Sequence, residues 1–196
     1  ITQLVSAAVL LAAMFDLSYT FAALISAALM LVFIIRGGLK SAGVVGFIKL
    51  ILIGWAMILS GIKAWQLSGG LEGMLQALPV EQYFNLWSRG AGFEVGNLLA
   101  MALGMITSQA YLQAIISSRS LSVARKSLVL TALIQPVFIV GGIAIGIYMV
   151  MSQPQLEGAL AFPVFVLTYI SPWQGGIFLA ALLVAVIASG AGITFG

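Results

Sequence analysis

Residues 128–151 read LVLTALIQPVFIVGGIAIGIYMVM, a run without a single charged side chain. A bilayer-spanning helix needs about 20 predominantly apolar residues, and this run supplies that length with one glutamine and one proline inside it. Strand readings fail on the same stretch. An outer-membrane barrel strand alternates apolar and polar positions over about ten residues, and this run is longer and apolar on every face. The reading extends outward. The whole chain has 196 residues, 62% hydrophobic and only 7% charged. Soluble domains carry roughly 25% charged residues, so this chain cannot cover a globular surface and reads as an integral membrane protein.

Charged and polar residues divide the rest into an all-α bundle of about six spans. Ile1 to Phe15 closes one helix at the turn Asp16-Leu17-Ser18, and a second runs from Tyr19 to Ile35 before Arg36-Gly37-Gly38. A third covers Ala42 to Ile62, and a more polar connection follows from Lys63 to Phe93. Within it, Leu71 to Leu78 suits a short interfacial helix, with tryptophans at headgroup level. The fourth helix is expected over Val95–Ser117, the fifth over Leu128–Met151, and the sixth from Gly175 onward. The spans are rich in Gly and Ala, as closely packed membrane helices are. The opening at Ile1 and the apolar run reaching Gly196 suggest an internal piece of a larger protein, with no signal-peptide pattern at either end.

The basic residues orient the bundle. Arg36 and Lys40 flank one short loop, and Arg119, Arg125 and Lys126 mark another. Alternating helices put these loops (36–41 and 117–126) on one side, which the positive-inside rule makes cytoplasmic, in the plasma membrane. The net charge of +3 then reports orientation and no affinity for nucleic acid, since no aromatic-basic stripe accompanies it. The chain has no Cys and no His. That excludes thiol chemistry, Cys/His metal sites and the usual nucleophile–base dyads, so an intramembrane hydrolase is disfavoured and the chain is not read as an enzyme.

A few residues stand out against the apolar background. Lys49 sits inside the third helix, nine residues beyond Lys40 and so about 13 Å deeper. An intramembrane charge costs at least about 2.5–3.5 kcal/mol on insertion scales, and such groups face a cavity or a partner. Ser189 lies among small residues late in the sixth helix, about 21 Å from Gly175, at the depth that Gly46 and Lys49 reach from the opposite side. Close packing is the competing reading for that segment. The fourth helix carries Gly104, Thr107, Ser108, Gln109 and Gln113 at lipid depth. Glycine beside polar side chains suits a helix that unwinds locally to hold solute, against ordinary interhelical hydrogen bonding. Gln135 precedes Pro136 in the fifth helix at an expected kink. Glu94, at the start of the fourth, suits the positive end of the helix dipole.

Three stretches together resemble the sodium:solute symporter family. Gly37-Gly38-Leu39-Lys40-Ser41 followed by a span is similar to its GGLKAVVWTDVIQ-like stretch. Ser108-Gln109-Ala110-Tyr111-Leu112-Gln113 through Ala124-Arg125-Lys126 resembles its helix and loop of the form QxxxQRxLAAKSxxEAR. Ala180-Ala181-Leu182 through Ser189 resembles its AALLAAAMST helix. The resemblance implies a leucine-transporter-type fold of two inverted repeats with solute held near mid-membrane. Residues 1–62 would finish the first repeat, 63–93 would be the extracellular connection, and 94–196 would begin the second. It further implies Gly104, Ser108, Gln109 and Gln135 as contacts for a small polar solute, with a coupling-ion site at the Ala185 carbonyl and Ser189.

Departures from the family pattern cluster at that ion site. Gly46 stands where the family has an embedded Asp, Lys49 where it has Gln, and Ala188 where it has one of two adjacent hydroxyls. Sodium is a hard cation that takes several oxygens, and Lys49 brings a cation instead. The expected activity is secondary transport with no bound cofactor. Either sodium at Ala185 and Ser189 or a proton carried on Lys49 would serve as the coupling ion. The competing reading is a transporter-like sensor module of a larger signalling protein.

Overall fold

The computed structural model describes residues 2–36 and 39–194, with the side chains of 36, 39–45, 109, 110, 113, 114, 193 and 194 outside the described set. The described residues are mostly helical. In order come α1 (Thr2–Phe15), α2 (Tyr19–Arg36), α3 (Leu39–Leu67), α4 (Gly70–Ala77), α5 (Val80–Tyr83), α6 (Ala91–Thr107), α7 (Gln109–Ile116) and α8 (Leu121–Ser152). A 3-10 turn at Gly158–Leu160 leads into α9 (Ala161–Tyr169), and α10 (Pro172–Thr194) follows. No strand occurs among the described residues.

Three stretches are long and apolar enough to cross a membrane: Gly46–Leu67, Leu121–Ser152 and Pro172–Gly192. The pair Thr2–Phe15 and Tyr19–Ile35 bends by 119° at its break, and counting it as one broken span makes four. The sequence reading counts that pair as two spans. Ala91–Thr107 is apolar but shorter, and it is the fourth helix of that reading. The all-helical, membrane-compatible character therefore stands, with three to four spans by length and composition.

Local chemistry explains the boundaries. Asp16 adopts a left-handed φ of 53°, a conformation that Asp tolerates better than bulkier residues, and so turns α1 into α2. Leu17 then bonds back to the Ala12 carbonyl. Gly69 and Gly70 both have positive φ, which folds α4 back until Met74 is buried beside Ala64. That helix lies within a residue of the expected interfacial one. α8 starts seven residues earlier than its apolar run, because the Ser120 hydroxyl accepts from the Val123 amide, an N-cap. α10 begins three residues before Gly175. Just before the helix the Ser171 hydroxyl donates to the Gln174 Oε1 at 2.6 Å, and proline takes the first helical position, where its missing N–H costs nothing.

Packing fixes the direction of each helix. α3 and α8 run in the same sense. Gly54 lies against Phe138, Gly61 against Gly141, and Ala64 clusters with Ala144, Ile145 and Met149. At the crossing the backbones touch: a Cβ on Gly61 would stand 2.8 Å from the Gly141 Cα, and one on Gly141 only 2.6 Å from the Met57 carbonyl. α10 runs the other way. Its Phe178 and Leu179 cluster with Leu10 of α1 and Ala56 of α3, while its Gly190 meets Gln3 of α1 and Met30 of α2. α1, α3 and α8 thus point one way, and α2 and α10 the other. The basic segments that begin α3 and α8 consequently share one end of the bundle.

Candidate functional site

Two regions hold the polar groups singled out by the sequence. The first lies where α3 faces α10. Trp55 stacks edge-on to Phe178 with ring centroids 5.2 Å apart, which sets the register between the two helices. Lys49 is six residues below Trp55, about 9 Å at 1.5 Å per residue; Ala185 is seven below Phe178, about 10 Å. The faces agree as well. Lys49 lies seven residues, two turns, before Ala56, which packs toward α10. Ala185 and Ser189 lie seven and eleven residues after Phe178, on the stripe that faces α3. Lys49 is half-buried and Ser189 exposed. Among the described residues Lys49 has neither an ion-pair nor a hydrogen-bond partner.

This geometry bears on a coupling cation. α10 is unbroken from Pro172 to Thr194, so the Ala185 carbonyl already accepts from within its own helix. A Cβ on Gly46 would meet nothing within 4 Å, which leaves room but offers no side-chain oxygen. Among the described residues this stretch of α10 offers one side-chain hydroxyl, Ser189, whereas a hard cation takes several oxygens.

The second region is a break. The expected fourth helix is two helices, α6 and α7, interrupted at Ser108, whose backbone is extended at φ −69° and ψ 124°. The Thr107 hydroxyl donates to the Leu103 carbonyl at 2.8 Å and lies 3.4 Å from that of Gly104. It is therefore committed to the backbone. Ser108 is half-buried; Gly104 is exposed, with open space where a Cβ would stand. The side chains of Gln109 and Gln113 lie outside the described residues. Gln135 is exposed on an α8 that continues as one helix through Pro136. Residues 104, 108 and 109 are brought together by chain continuity alone. Among the described residues no hydrogen bond or core cluster joins Gln135 to them, and α6 has no buried residue. Glu94 instead pairs with Arg89 at 3.7 Å, at the start of α6 as a capping role requires.

Two polar residues escaped the sequence reading. Ser60 is wholly buried with its hydroxyl unpartnered, flanked one turn on either side by the buried Ala56 and Ala64. Gln3 lies against Gly190, its Cβ 3.2 Å from where a Gly190 Cβ would be. Neither segment carries a sequence signal, because each residue is conspicuous only through the helices packed around it.

A bundle of apolar helices, three or four of them long enough to cross a membrane and with small residues at their crossings, has the build of a polytopic membrane protein. The sequence profile of the sodium:solute symporter family matches residues 1–195. The chain belongs to that family and is an integral membrane protein. Comparison with curated proteins gives no match, and neither does comparison with solved structures.

Proposed function

We propose that this chain moves a small polar solute across the plasma membrane by alternating access, as a secondary transporter. Membership of a symporter family supports the class, and the observation that carries the site is the break at Ser108 between two apolar helices. Interrupted helices free backbone groups that can bind solute only where they line a cavity. Gly104, Ser108 and Gln109 form the solute contact in this reading, with Gln135 joining from α8. The chain is organised as six spans, with 1–62 ending one inverted repeat, 63–93 outside, and 94–196 opening the second. The basic segments 36–41 and 117–126 face the cytoplasm. Lys49 stands in for sodium beside Ala185 and Ser189, its ammonium supplying three donors to oxygens that would otherwise hold a cation.

The test is uptake by the full-length protein in proteoliposomes against a panel of small polar solutes, with sodium replaced by choline. Uptake of at least one solute should survive the replacement, and Lys49→Gln should lower it roughly tenfold, the size of a typical site coupling. Strictly sodium-dependent uptake that Lys49→Gln leaves unchanged would reject the surrogate. Orientation has its own check: single cysteines at Ser41 and Ser152, labelled from outside intact cells, should react at 152 and not at 41.

A further inference from the structure

We infer that the connection between α3 and α6 carries a second solute site, an open cavity that binds a small zwitterion between the Glu81 carboxylate and the Arg89 guanidinium. Its purpose, capture of solute before it reaches Ser108, rests on the transporter reading; the site itself is read from the cavity. Glu81, Gln82, Tyr83, Asn85, Ser88 and Arg89 line one space of about 740 Å³, within the roughly 300–1,000 Å³ of small-molecule sites. All six lie outside the membrane-capable stretches. Glu81 and Arg89 are exposed, so a dissolved molecule reaches both.

Each wall is held in place by its own contacts. On one side Pro79 starts α5, its carbonyl accepting from the Gln82 and Tyr83 amides, both at 3.1 Å. Phe84 at the end of α5 packs on the core cluster of Met74 and Phe165, which anchors Glu81, Gln82 and Tyr83. On the other side two successive turns, Ser88 N–H to the Asn85 carbonyl and Gly90 N–H to that of Trp87, lead into α6. The Asn85 Oδ1 accepts from the Trp87 amide at 2.9 Å and leaves its NH₂ to donate. Arg89 is held twice, by Glu94 at 3.7 Å from its Nε and by the Phe93 ring, whose centroid is 5.3 Å from its Cζ.

The charges define the ligand. Glu81 and Arg89 line the same cavity yet form no ion pair with each other, and Glu81 has none with any described residue. Arg89 engages Glu94 through Nε and has no further hydrogen bond or ion pair among the described residues. Both Nη groups are thus open to a carboxylate, which guanidinium donors match in a two-pronged fashion. Glu81 is an acceptor for an ammonium. A simple anion drawn to Arg89 meets repulsion from Glu81, and a simple cation meets the reverse. A molecule that carries both charges satisfies both walls, so the pair selects against either single charge.

The chain has no cysteine, so Ser88→Cys adds one thiol to the cavity wall, and its labelling rate in the full-length protein in membranes reports occupancy. Glycine, β-alanine and γ-aminobutyrate serve as probes, carrying the same two charges at three separations. The best of them should slow labelling at position 88, with acetate and methylammonium at least fivefold less effective. Arg89→Gln and Glu81→Gln should each weaken that protection about fivefold, the upper end of what an exposed charge pair contributes. Gln76→Cys, on α4 and outside the cavity, should show no protection. Protection should persist when Ser108→Ala and Gln109→Ala are combined with Ser88→Cys. No protection by any of the three amino acids, or equal protection by acetate or methylammonium, would overturn the inference. So would unchanged protection in Glu81→Gln, a variant that leaves the Arg89–Glu94 pair intact, or its loss in the Ser108→Ala, Gln109→Ala background. Labelling needs no uptake, so its failure is separable from failure of the transporter reading.

Discussion

The α3–α8 pair and the α6–α7 pair are built from similar material, apolar helices punctuated by glycine, yet they behave oppositely. In the first, Gly61 and Gly141 bring two backbones into contact, with no space for even a methyl group. In the second, Cβ atoms at Gly92, Gly96 and Gly104 would all meet open space, and no residue of α6 is buried. A glycine pattern in a membrane helix therefore announces that close approach is possible without saying that it occurs. Where the neighbour is present, glycine locks the crossing. Where it is not, the same residue leaves a helix free to break, as this one does at Ser108.

The largest effect expected from this contrast lies at the crossing. Gly141→Leu would drive a side chain into the Met57 carbonyl, and overpacking of this kind costs about 1–3 kcal/mol, occasionally more. The neighbouring Gly142 has nothing within 4 Å of its Cβ position, so Gly142→Leu should leave the unfolding midpoint in detergent nearly unchanged. Equal loss of monodisperse protein for both variants would break the argument that one backbone contact decides this pair.

The next effect falls on the broken helix and should appear in transport, not in stability. Gln109→Ala and Ser108→Ala should each raise the apparent KM for uptake or abolish it, with normal surface expression and an unchanged unfolding midpoint. Unaltered kinetics in both would remove the break from the solute path. A smaller effect belongs to the start of α10. Ser171→Ala should cost about 1 kcal/mol, as loss of one side-chain hydrogen bond does, measured as a lowered thermal midpoint. The smallest is Gly96→Ala on the open face of α6. It should be neutral or stabilise by at most about 1 kcal/mol through helix propensity. Marked destabilisation there would show that α6 is packed against another helix.

Much of the architecture was legible in the residues themselves. The uncharged run at 128–151 dictates a span because the bilayer offers its backbone no partner. Arg36 and Arg119 divide helices because charge is expensive in hydrocarbon, and the short helix after Leu67 was placed to within a residue. The starts of α8 and α10 were missed. They depend on the Ser120 cap and the Ser171–Gln174 pair, which lie outside the apolar runs that hydropathy detects. The resemblance over residues 37–41, 108–126 and 180–189 was enough to identify the family.

Sequence alone determined that the chain is helical and that it belongs in a membrane, because those properties follow from the composition of contiguous segments. Only the tertiary structure decided which faces meet. The parallel sense of α3 and α8, the shared level of Lys49 and Ala185, and the approach of Gln3 to Gly190 all depend on register between segments distant along the chain. That register is set by where small residues allow backbones to touch, a property of pairs of helices that no single segment encodes.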